Sequence, residues 1–154
     1  MSRKKMIKVT ESVTRPGRIR SMGVIGDPGC EGLGTYNMKV YAGALEESGK
    51  DDITLIAGDL VPAGTRHHYQ MIQELTETLA ENEVYTLRGN HDTGAYTEYF
   101  GLKNYALLAD EFAVVVLDNA VRSFEEEGLT LLKEVLSMED VERVIMSFHI
   151  AVPN

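Results

Sequence analysis

The sequence predicts an α/β domain, and three observations carry that reading. Apolar runs of strand length alternate with amphipathic stretches of helix length, the pattern of β-α-β units with helices covering a parallel sheet. The strands end in polar residues of metal-ligand type, and ligands of such sheets sit beyond the carboxyl ends of the strands. The chain has 154 residues, which suits one domain whose core needs no disulfide or metal staple.

The elements follow in order. Residues 1–18 form a basic N-terminal arm or edge segment, and residues 19–154 form the domain. Residues 19–27 (IRSMGVIGD) read as a buried strand running into a glycine-rich loop. Residues 35–49 read as an amphipathic helix with Met38, Tyr41, Ala42 and Leu45 on one face and Gly49 as its stop. A second apolar strand, residues 52–59 (DITLIAGD), ends in Gly-Asp. The helix over residues 68–82 places Met71, Ile72, Leu75 and Leu79 inward, with His67 and His68 as surface or capping residues at its start. A third strand, residues 84–92 (VYTLRGNHD), runs into a polar loop. A short helical piece at 93–101, a strand at 105–108 and a strand in FAVVVLD follow. A long helix over 125–138 and a last strand over 141–149 (VERVIMSFH) complete the domain.

Composition narrows the function classes. Hydrophobic content of 44% and charged content of 25% are those of a soluble globular protein. The apolar runs are far too short to span a bilayer, and no apolar stretch follows the basic start as a secretory signal requires. Cys30 is the sole cysteine, so no internal disulfide forms and a reducing cytoplasm is the simplest setting. Net charge is −9, distributed unevenly: the first 20 residues carry seven Lys/Arg against one acid, and the rest eight against 23. The basic start reads as a solvated arm or as an electrostatic arm for phosphate-rich ligands. The acidic body argues against a broad nucleic-acid-binding face.

The loop in VIGDPGCEGLG (residues 24–34) could hold a nucleotide, a metal or nothing. Its glycines at 26, 29, 32 and 34 miss the G-x-G-x-x-G spacing. Gly29 and Gly34 have P-loop separation, but Thr35 stands where that loop needs Lys. The other strand ends favour a metal. Asp27 and Asp59 each follow a glycine, Asn90-His91-Asp92 follows the third strand, and His149 ends the last. Carboxylate, amide oxygen and imidazole are ligands for hard or borderline divalent ions. One carboxylate can bridge two ions, which can clamp a phosphoryl group and supply a nucleophile near neutral pH. His91, held by Asp92, could donate a proton to a leaving oxygen or stabilise transition-state charge.

The ordered blocks GDPG, GDLVP, RGNHD and VIMSFHIAVP resemble those of calcineurin-like metallophosphoesterases, over residues 19 to the end. The resemblance implies a β-sandwich flanked by helices (αββα) and a two-metal site of manganese, iron or zinc. It implies hydrolysis of phosphomonoesters or phosphodiesters through a metal-bound hydroxide. Asp27 would bind the first metal, Asp59 bridge both, and Asn90 and His149 bind the second; His91 and Asp92 would be the catalytic pair. The expected partner is a phosphorylated substrate, with nucleotides and nucleic acid among the candidates and no membrane.

Two features depart from the pattern. Gly29 stands where the first block, Asp-x-His, has its His; the branch with glycine there compensates with a Tyr at the position of Pro62. The closing Gly-His-x-His block does not follow His149. The first metal site is thereby short of ligands. The chain is expected to be the incomplete part of a longer enzyme, lacking its C-terminal portion, or alternatively a metal-poor relative acting as a binding or scaffold protein.

Overall fold

Strands buried on both faces must be covered on both sides, and the observed layers do that. A computed structural model describes residues 3–153. Its strands are β1 (Val13–Thr14), β2 (Met22–Ile25), β3 (Ile53–Ala57), β4 (Glu83–Leu87), β5 (Tyr105–Leu108), β6 (Phe112–Val116) and β7 (Arg143–Ser147). Its helices are α1 (Tyr36–Ser48), α2 (Arg66–Leu79), α3 (Tyr96–Phe100) and α4 (Glu126–Leu136). The strands form two sheets, ordered β2-β3-β4 and β1-β5-β6-β7. The expected parallel pairing holds throughout the first sheet, whereas β5 and β6 form an antiparallel hairpin within the second. The hairpin closes tightly: Ala109 N–H donates to Phe112 O at 2.8 Å.

Side-chain alternation sorts the core into three layers. Ile53, Leu55, Tyr85 and Leu87 of the first sheet meet Tyr105, Leu107, Val114 and Val116 of the second, forming the sandwich interior. The opposite faces of β3 and β4 contribute Ile56 and Val84, packed against Tyr41, Leu45, Tyr69, Ile72 and Phe100 of the helices. The outer face of the second sheet packs Ala113 and Val115 against Leu131 and Val135 of α4. The result is the αββα arrangement, sheets flanked by helices on both sides.

Local chemistry sets the helix starts. The Thr35 hydroxyl accepts from Met38 N–H, and the Thr65 hydroxyl from His68 N–H, each an N-cap satisfying a free amide of the first turn. Two expectations for helix faces shift. In α2, Ile72 is buried and Met71 and Leu75 pack partly buried against the core as expected, Tyr69 and Thr76 join them, and Leu79 near its end is 39% exposed. In α1, Ser48 joins Met38, Tyr41 and Leu45 on the buried side, and Ala42 is half-buried.

The basic N-terminal residues lie along the sheet edges. Ile7 N–H donates to Val84 O, and Met6 is 1% exposed. Val13 and Thr14 pair in parallel with Ala106 and Leu107. The cations meet acids of the body, as in Arg3–Glu83, Arg15–Asp140 at 2.8 Å and Arg18–Asp110 at 3.6 Å. Among the described residues no helix is long and apolar enough to cross a membrane.

Candidate metal centre

Four loops leave the carboxyl ends of β2, β3, β4 and β7 and converge. Register explains part of this: Ile25 pairs with Ile56, and Ala57 with Leu87, so the loops of the first sheet start side by side. Ligand atoms of Asp27, Asp59 and His149 lie within 4.8 Å of one another. His149 Nε2 is 3.2 Å from Asp59 Oδ2, and its Nδ1 is 3.6 Å from Asp27 Oδ1. Asn90 Oδ1 is 3.2 Å from the same Nε2. All four ligands expected of the two sites are thus brought together.

The backbone is strained where the acids sit. Asp27 (φ 43°) and Asp59 (φ 50°) adopt left-handed conformations, which cost on the order of 1–3 kcal/mol each in a non-glycine residue. Asp tolerates this better than most residues, and the sharp turn aims each carboxylate back across the strand ends. Close approach requires two glycines. A Cβ on Gly58 would stand 2.4 Å from His149 Nδ1, and one on Gly89 would stand 2.2 Å from Asp59 N.

The lone pairs decide whether a cation fits. His149 Nδ1 lies 2.9 Å from Ala57 O, and a carbonyl only accepts, so Nδ1 carries the hydrogen. In the neutral ring Nε2 is then a bare acceptor. It faces Asp59 Oδ2 and Asn90 Oδ1, so three acceptor atoms converge with no donor among them. A bound cation satisfies that arrangement, and a ring N–H fixed on a backbone carbonyl is the usual way to orient a metal-binding histidine. The second site therefore fits a divalent ion with oxygen and imidazole ligands.

The first site is more open. The Asp27 side chain is 69% exposed, Asp59 is the residue expected to be shared, and Gly29 offers no side chain. Cys30 does not replace the absent histidine: it is 0% exposed, and burial pushes its thiol up to about 12. Two carboxylates with open positions suit a hard cation that keeps part of its water shell.

His91 sits above Asp59. Its backbone N–H donates to Asp59 Oδ1 at 2.9 Å, and its ring Nδ1 bonds Pro62 O at 3.0 Å, leaving Nε2 toward solvent. The ring is therefore oriented by the Pro62 carbonyl, in place of the expected Asp92. Asp92 is 1% exposed, and its carboxylate accepts from Gly89 N–H at 2.7 Å and Val61 N–H at 3.3 Å. Burial raises its pKa to about 7, against the lowering effect of those bonds. Its place is as a brace between the loops carrying Asn90 and Pro62.

Sequence reasoning missed a buried polar cluster beneath the site. Asp118, 1% exposed, takes a bidentate pair from Arg88 at 3.1 and 2.8 Å. Neighbouring Asn119, 4% exposed, accepts from His149 N–H and Ile150 N–H. Both residues follow β6, so the strand-end rule that found the four ligands also points to them.

No curated protein matches this sequence significantly. A family model, calcineurin-like phosphoesterase, matches residues 21–151, a span that holds all four converging ligands and His91. The chain belongs to the calcineurin-like phosphoesterase family.

Proposed function

We propose that this chain is a metal-dependent phosphoesterase domain that hydrolyses a phosphomonoester or phosphodiester at a two-metal site. The convergence of Asp59 Oδ2 and Asn90 Oδ1 on His149 Nε2, each at 3.2 Å, is the observation that carries the proposal. Divalent ions bound there, manganese, iron or zinc, would neutralise phosphoryl charge and activate a water near neutral pH.

The chain's own groups do the rest. His149 presents Nε2 because Ala57 O fixes the other nitrogen. Asp59, whose carboxylate lies beside His149 Nε2, would be shared by both ions. Asp27 faces solvent and would hold the first ion together with Asp59. His91 in its protonated form offers Nε2–H to the leaving oxygen while Nδ1–H stays on Pro62 O. The weak first site, with Gly29 where the family has histidine, favours a second reading: a metal-poor domain that binds a phosphorylated partner without hydrolysing it.

Hydrolysis of an aryl phosphate and an aryl phosphodiester, with manganese and then with chelator, separates the two. The enzyme reading expects a manganese-dependent rate on at least one substrate, abolished by chelation. Metal binding without any rate favours the binding domain.

A further inference from the structure

We infer that Asn119 is a positioning residue for the metal ligand His149. The inference rests on the metal-site reading above. His149 belongs to a loop after β7, an edge strand whose Ile145 and Met146 are 43% and 51% exposed. Phe148, just before the ligand, packs edge-on against Phe124, but that contact does not hold the ligand's own backbone amide. Asn119 supplies what packing does not. Its Oδ1 accepts from His149 N–H at 3.1 Å and from Ile150 N–H at 3.0 Å, and its Nδ2 donates to Ile150 O at 2.7 Å. One amide thus clamps three backbone groups of the ligand loop.

The clamp is itself anchored. Asp118, adjacent in the chain, is paired with Arg88, which directly precedes Gly89 and Asn90. Lys103 also lies 3.6 Å from Asp118. The Arg88–Asp118 pair therefore ties the loop of Asn90 to the loop of Asn119, and Asn119 carries that registry to the His149 backbone. Three hydrogen bonds and buried charge fix the residue on which Nε2 placement depends.

The test is manganese affinity of the whole chain, measured by titration beside thermal denaturation in chelator. Losing such an outer support costs about 10–100-fold in metal affinity, and Asn119→Ala is expected to weaken binding by that factor. Asn119→Gln keeps the amide but displaces it by a methylene, and is expected to weaken binding at least about tenfold, which covers the case of Asn119→Ala failing to fold. Thr76→Val, which removes a buried hydroxyl partner of Tyr41 far from the site, is the control for lost stability. It should lower the melting temperature without changing affinity. Unchanged manganese affinity in a folded Asn119 variant, or a loss matched by Thr76→Val, overturns the inference. A wild-type chain that binds no manganese overturns the metal-site reading instead, so the two failures are distinct.

Discussion

Asn90 and His91 are neighbours in sequence with separable jobs. The Asn90 amide oxygen faces the bare nitrogen of His149, whereas the His91 ring turns to Pro62 O and keeps its other nitrogen for solvent. Asn90→Ala is expected to weaken metal binding. His91→Ala should retain the metal and lower kcat by about 10²–10⁴-fold, the range for a positioned acid–base group. Equal metal loss in both variants, read by titration, contradicts the division. Cys30 gives a second test. Its thiol is held at about 12 by burial, against an ordinary value near 9.0. The folded chain keeps that proton where the unfolded chain releases it, so the native state loses stability as pH rises from about 9 toward about 12. Below that window Cys30 should resist thiol reagents until the protein unfolds, with or without metal. Fast labelling of the native chain at pH 8, or protection that depends on metal, contradicts its place in the core.

At the scale of elements, the loops that follow β3 and β4 approach each other closely at the site. Gly89 touches the backbone of Asp59 so closely that any side chain must move it. Gly89→Ala should destabilise the fold by about 1–3 kcal/mol, as overpacking does, and remove metal binding as well. Denaturant midpoints and metal titration on one preparation check both halves; retained affinity contradicts the geometry. Most elements were legible from apolar period, whereas the caps Thr35 and Thr65 emerged only in the structure, Thr35 from inside the expected helix and Thr65 ahead of an expected start at residue 68. The site was legible because its ligands stand at strand ends, where chain order alone brings them together. β1 was not, because two residues, Val13 and Thr14, carry no period and become a strand only against β5. The partner of His91 was not either: Asp92 is adjacent in sequence, but burial and two backbone donors claim its carboxylate.

For the whole molecule, the alternation of strands and helices gave the class but not the split into two sheets. Runs such as FAVVV are buried on both faces whatever their direction, so nothing local distinguishes an antiparallel hairpin from a parallel crossover. The layering matters for function because it stacks four strand ends at one edge. It also leaves an imbalance: Asp59 Oδ2 and Asn90 Oδ1 both face His149 Nε2, while the first site would rest on Asp27 and Asp59 alone. The most direct test is therefore a count of manganese ions per chain as free manganese is raised, in wild type and in Asn90→Ala. One tighter ion, weakened by the substitution, and one weaker ion that is less affected are expected. Absence of manganese binding, or a tight ion indifferent to Asn90→Ala, contradicts that expectation.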